Sequence, residues 1–305
     1  MRGDETIAVW VSCGLASAVA AKLTFERYGA THSIRLVNNP VVEEGPDNRR
    51  FLADVAAWCQ APIESVIHPD YPNFSAEEVW NRRGGMAFPH GAPCTVSLKK
   101  QARQLWERDN PMDWHVLGFT VEEKGRHDRF VLTERSNVLP VLIDAGITKQ
   151  GCMDMVIAAG IEPPAAYALG YPNANCRGCV KATSPTYWNL VREVDPEAFA
   201  SRAAQSRRLG AKLARYKGQR VFLDELPPTA TGRPLKSLTM PDCGSFCEEA
   251  AMTRANLHPN PLSGYSEDYP DPEDHGLSGP QGTEAALSAT EAKQNNPSPT
   301  TGADQ

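Results

Sequence analysis

Two groups of residues in this chain have types and spacings that can do chemistry. The first is Ser12-Cys13-Gly14-Leu15-Ala16-Ser17, a small-residue turn between an apolar run and a helical pattern. A strand, a tight turn and a helix start together aim backbone N–H groups and the positive end of a helix dipole at one point, which suits a phosphate. Gly14 lets the backbone come close, and Ser12 and Ser17 add hydroxyl donors. The turn lacks the Gly-Lys-Ser/Thr ending of a Walker A loop, and a plain strand-to-helix connection is the competing reading. The second group is drawn from eight cysteines. Cys176-x-x-Cys179 has a spacing that lets two thiolates hold one ion or one edge of a cluster. Cys243 and Cys247, with three residues between them, form a second pair, and the two pairs can make one four-cysteine site. For Cys13 and Cys59 the plain reading is a buried, inert thiol.

These residues need a scaffold, and the order of patterns along the chain supplies one. Ile7–Val11 is an apolar run of strand length, and residues 16–27 carry apolar positions at helical spacing. Strands follow at 33–37, 63–67 and 114–119, with helices at 49–58 and 99–108, and a long loop rich in Gly, Pro and aromatics after residue 67. That alternation predicts an α/β, doubly wound parallel sheet, in which ligands sit beyond the C-terminal strand ends, where residues 12–17 fall. Asn38, ending the second strand, can reach a nucleotide from the neighbouring tip. A further helix is predicted over 148–160, stopped by Gly160 and the prolines after it, and residues 186–216 read as helical and basic. From about residue 256 the composition turns to Pro, Ser, Gly, Asn and Thr, as expected of a disordered tail. The predicted organisation is therefore an α/β nucleotide-binding domain over 1–182, a helical and cysteine-containing extension over 183–255, and a tail over 256–305.

The chain has 305 residues, 41% of them hydrophobic and 22% charged, with a formal net charge of −6. The acidic balance argues against a general nucleic-acid binder. No apolar stretch approaches the roughly 20 residues that span a bilayer, so no membrane association is expected. Ile7–Val11 follows acidic residues and lacks the form of a signal peptide, which predicts a cytoplasmic protein with reduced thiols. Histidines are scattered, and His90 and His127 read as surface residues.

Val9 through Ala21 resembles the Ser-Gly-Gly-x-Asp-Ser loop of the PP-loop superfamily, also called adenine nucleotide alpha hydrolase-like, and in particular its 3′-phosphoadenosine 5′-phosphosulfate (PAPS) reductase-like branch, many of whose members are encoded by phages. Cys13 stands for the second Gly and Ala16 for the Asp. Pro93-Cys94-Thr95-Val96-Ser97-Leu98-Lys99-Lys100 is similar to the family's cysteine-containing segment with its following basic residue. Gly118-Phe119-Thr120-Val121-Glu122-Glu123 resembles its Gly-x-Arg-x-x-Glu motif, with Thr120 in place of Arg. Ile161-Glu162-Pro163-Pro164, Tyr167, Gly170-Tyr171 and Cys176-Arg177-Gly178-Cys179 carry the most specific part of the likeness, which covers roughly residues 5–250.

The resemblance implies an enzyme of sulfur metabolism, an oxidoreductase or sulfur transferase, that binds ATP, PAPS or adenosine 5′-phosphosulfate (APS). It implies nucleotide contacts at Ser12, Cys13, Gly14, Ser17, Asn38, Lys99, Gly118, Glu123 and Arg126. It also implies a 4Fe–4S cluster, with zinc as the alternative, on Cys94, Cys176, Cys179 and Cys247, Cys152 and Cys243 being rivals for the fourth place. Asp242-Cys243-Gly244 is similar to the Glu-Cys-Gly-x-His end of sulfonucleotide reductases, which makes Cys243 the candidate nucleophile, although Phe246 stands where the His belongs. A thiol or electron-donor protein is the implied partner. ATP-dependent adenylation or thiolation of tRNA or DNA is the alternative activity, with the basic residues at 202–217 as its nucleic-acid surface, and a non-catalytic nucleotide-binding cluster protein is a third.

Overall fold

A computed structural model describes residues 4–88 and 91–235. The tail from 256, and with it Cys243, Cys247 and His90, lies outside the described residues. The first half builds β1 (Thr6–Trp10), α1 (Leu15–Tyr28), β2 (Ser33–Asn38), α2 (Asp47–Cys59), β3 (Ile63–Ser65) and α3 (Ala76–Arg83). A π-helical turn (Thr95–Gln101) then runs into α4 (Ala102–Asp109), followed by β4 (Trp114–Val116), α5 (Lys124–Thr133) and β5 (Val138–Leu139). After these come α6 (Val141–Asp144), α7 (Lys149–Ala158), α8 (Ala165–Ala168), α9 (Pro185–Val194), α10 (Pro196–Arg208), β6 (Ala214–Tyr216) and β7 (Gln219–Val221).

The central sheet has five strands in the order β3-β2-β1-β4-β5. All four pairings are parallel. Strand β1 is apolar on both faces because both faces are covered. Ile7 and Val9 point into the core under α1, α2 and α7, while Ala8 and Trp10 point into a second core with Ala102, Phe119 and Phe130. Helices thus lie on both sides of the sheet. Ala18, Val19, Ala20 and Ala21 of α1 are all fully buried, and their small size lets α1 pack between the sheet and α7. The chain adds strands to one side of β1 and then to the other, so the carboxyl ends of β1 and β4 flank the crevice where doubly wound sheets take ligands.

A third apolar core joins α3 and the π-helical turn to α9, α10 and the β6–β7 hairpin, with Trp80, Trp188 and Leu213 among its members. Residues 4–235 all fall in one compact unit.

The predicted helix over 186–216 is instead two helices and a hairpin. Pro196 has no N–H to continue α9, and the Asp195 carboxylate accepts from Ala198 N at 3.4 Å to start α10. Gly210, at φ 67°, ends α10, and Lys217 and Gly218, both at positive φ, make the tight hairpin turn. Helix α3 occupies part of the stretch expected as a long loop; Ser75 caps it, its hydroxyl accepting from Glu78 N at 3.2 Å.

Candidate functional site: the strand-tip loop and the cysteine turn

The loop at 12–17 leaves β1 at the centre of the sheet. Gly14 keeps an extended backbone before α1 begins at Leu15, and its carbonyl accepts from Ala18 N at 3.2 Å. Ser17 is buried and works inside the loop. Its hydroxyl donates to Gly14 O at 2.8 Å and accepts from Ser12 N at 3.0 Å and the Ser12 hydroxyl at 3.4 Å. Ser12 is the exposed member. No acidic side chain lies in the first turn of α1, so nothing there competes with an anion for the helix dipole. The Leu15 backbone acts on the buried Tyr167 phenol, so a residue of the later Tyr-x-x-Gly-Tyr segment sits near the start of this helix.

Gly118, just past β4, shows how tightly the crevice is closed on its floor. A Cβ at this position would lie 2.7 Å from Ser17 N and 2.8 Å from the Ala16 carbonyl carbon. Only glycine lets the β4 tip come this close to the loop backbone. The following turn is held by Thr120, which is fully buried; its amide and hydroxyl both donate to Glu123 Oε2, at 3.4 and 3.3 Å. Glu123 also accepts from Arg126 at 3.0 Å, and the Arg126 guanidinium lies 5.1 Å from the centre of the Phe119 ring. Thr120 thus turns Glu123 back on its own backbone. His127, expected at the surface, is 9% exposed because α5 turns it onto Phe119, their ring centres 5.6 Å apart.

On the β2 side a buried polar group forms beneath the loop. Cys13 takes φ 60°, the left-handed backbone that its glycine counterpart in the resembling loop would adopt without strain. Its thiol is pushed well above the ordinary range, first by burial and then by Glu44, while Lys99 and Asn38 pull it down. Asn38 donates to Val11 O at 2.6 Å and comes within 3.9 Å of the Cys13 sulfur, so it braces the tip of β1. Lys99 pairs with Glu44 at 2.5 Å. Glu44 was not among the expected site residues. Its only signal in the sequence is the Glu43-Glu44 pair just after the second strand, and Glu43 spends its carboxylate on Ser75, Ala76 and Glu77 at the start of α3.

The cysteine turn is built differently. Cys94, Cys176 and Cys179 are buried members of one apolar core. Gly178 takes φ 64°, and a Cβ there would meet Arg202 Cγ at 3.1 Å and the Trp188 ring at 3.4 Å. Fully buried Tyr187 clasps the turn, its hydroxyl accepting from Cys179 N at 2.9 Å and donating to Cys176 O at 3.4 Å. No sequence motif points to Tyr187, because its role depends on the fold of α9 over the turn. Cys152, fully buried on α7, has its thiol raised to about 12 by burial and by Glu122 and Glu123. Among the described residues no three His, Cys, Asp or Glu side chains are grouped to hold a metal ion. Cys94, Cys176 and Cys179 are the described members of the expected ligand set, and Cys247 lies outside the described residues.

Of the basic residues considered as a nucleic-acid surface, Arg202 is buried over the Trp80 ring, and Arg207 pairs with Asp224 and Glu225 at 2.8 and 2.7 Å. The row is broken by burial and pairing, and α10 ends at Arg208. Among the described residues no helix is long and apolar enough to cross a membrane. Comparison of the chain with models of known families and with curated proteins finds no match.

Proposed function

We propose that the chain is an adenine-nucleotide-binding enzyme of sulfur chemistry, of the PAPS reductase-like kind. The observation that carries this reading is the position of Ser12–Ser17: it leaves the central strand at the point where the sheet order reverses, with the amide end of α1 facing the crevice. Gly118 pressed against Ser17 fixes the other wall. In this reading the loop amides and Ser12 hold a phosphate, and Arg126 approaches from the β4 side.

The chemistry proposed for a sulfonucleotide is attack of the Cys243 thiolate on the sulfate sulfur. The S–O bond to phosphorus breaks, the nucleoside phosphate leaves, and an S-sulfocysteine remains. A thiol of a donor protein then attacks the cysteine sulfur, releasing sulfite and forming a mixed disulfide, which a second donor thiol reduces. Ala16, in place of the family's Asp, favours this over ATP cleavage. A cluster on Cys94, Cys176, Cys179 and Cys247 is a separate proposal; iron and acid-labile sulfide analysis of anaerobically purified protein tests it.

Titration of that protein with ATP, PAPS and APS tests the main reading. Sulfite release with a dithiol present supports reduction. Pyrophosphate release from ATP would move the assignment to adenylation, and no binding of any of the three would refute it.

A further inference from the structure

Among the described residues, the Glu44–Lys99 pair is a buried ion pair beside the loop that the proposed chemistry leaves unexplained. Its members come from separate elements: Glu44 from the turn that follows β2, and Lys99 from the π-helical turn before α4. Each side chain is 5% exposed, and their charged atoms are 2.5 Å apart. Glu44 lies in the turn that leaves β2, the strand paired with β1, and Asn38 at the tip of β2 bonds Val11 O at the base of the loop, so the pair sits on the β2 side of the loop. A buried pair must pay for removing two charges from water, and apolar residues of the same volume are often as stabilising. A lysine serving only the fold could thus be replaced by a methionine. A lysine that meets an anionic ligand has a reason to stay charged, and it then needs a carboxylate while the ligand is away. The local backbone agrees with a working position: π-helical turns are concentrated at functional sites, and this one carries five consecutive buried residues, Thr95–Lys99.

We infer that Glu44 is the resting-state counter-ion of Lys99, and that an anionic oxygen of the bound nucleotide exchanges with its carboxylate. The inference rests on the nucleotide reading above and adds a positioning residue to it. It makes the site sensitive to ligand charge: a phosphate must displace a carboxylate to reach Lys99, whereas an uncharged nucleoside binds without the exchange.

The test titrates AMP and adenosine into the full chain as wild type, Glu44→Gln and the double variant Glu44→Gln/Lys99→Met, by calorimetry and thermal shift. With the competing carboxylate gone, Glu44→Gln is expected to bind AMP about tenfold more tightly, with adenosine unchanged. An unchanged or weaker AMP affinity in folded Glu44→Gln overturns the exchange, as does equal weakening of AMP and adenosine, which marks a structural role. Should Glu44→Gln fail to fold, the double variant decides. A fall of about tenfold or more in its preference for AMP over adenosine supports the inference, and the wild-type preference retained overturns it. Absence of AMP and adenosine binding in folded wild type that also fails to bind ATP, PAPS and APS refutes the nucleotide reading; the same absence in wild type that binds one of these three overturns the inference alone.

Discussion

At the strand tips, backbone positions the groups that matter: Gly118 lies against Ser17 N, Cys13 holds a left-handed conformation, and Ser17 bonds only to its own loop. Around Cys176 and Cys179, side chains from the helix that follows do the positioning, with Tyr187 bonded to both ends of the turn and Trp188 packed against Gly178. The first region is open at Ser12, while the second is sealed in the apolar core. The difference teaches which perturbations each region can feel. Loop chemistry should respond to changes in backbone freedom, and thiol access should respond to changes in core packing.

The largest expected effect is on the packed side. Trp188 is fully buried, so Trp188→Ala should cost about 3–5 kcal/mol in denaturant unfolding and speed alkylation of Cys176 and Cys179. Unchanged alkylation in the folded variant would show that the turn holds itself. Gly118→Ala should cost about 1–3 kcal/mol, since the new methyl meets loop backbone, and should weaken nucleotide binding without exposing the cysteines. Equal loss at both regions would erase the distinction between them.

Tyr187→Phe removes the acceptor of Cys179 N and should cost about 1–3 kcal/mol, measured by the same unfolding curves, with nucleotide affinity unmoved. The smallest effect separates backbone from side chain at Cys13. Cys13→Gly and Cys13→Ala both delete the thiol, but only glycine relieves the φ of 60°, so the Gly variant should be more stable by about 1 kcal/mol. Equal stabilities would mean that the loop carries no strain there.

The parts of the molecule legible in the sequence are those set by local pattern. Ile7–Val11 marks the central strand because it is apolar on both faces, and residues 16–27 mark the first helix by apolar positions at helical spacing; the structure places both as expected. Asn38 and Gly118 lie at the tips of β2 and β4, where the structure uses Asn38 to brace β1 and Gly118 for close packing, while Lys99 lies in the π-helical turn and pairs with Glu44. Glu44 has no motif to mark it because its partner Lys99 lies 55 residues away, and Tyr187 has none because its role depends on α9 folding back over the turn just before it. The hairpin after α10 was read as helix because Arg215 and Lys217 continue a basic pattern, while the turn chemistry of Lys217-Gly218 decides otherwise.

The central claim is that an adenine nucleotide sits on the Ser12–Ser17 loop. Backbone amide NMR on labelled protein titrated with ATP, PAPS and APS tests it most directly. The account predicts saturable shifts concentrated at Ser12–Ser17 and Phe119–Thr120, with the amides of Cys176–Cys179 nearly still. Shifts confined to other surfaces, or none at saturating nucleotide, would contradict it.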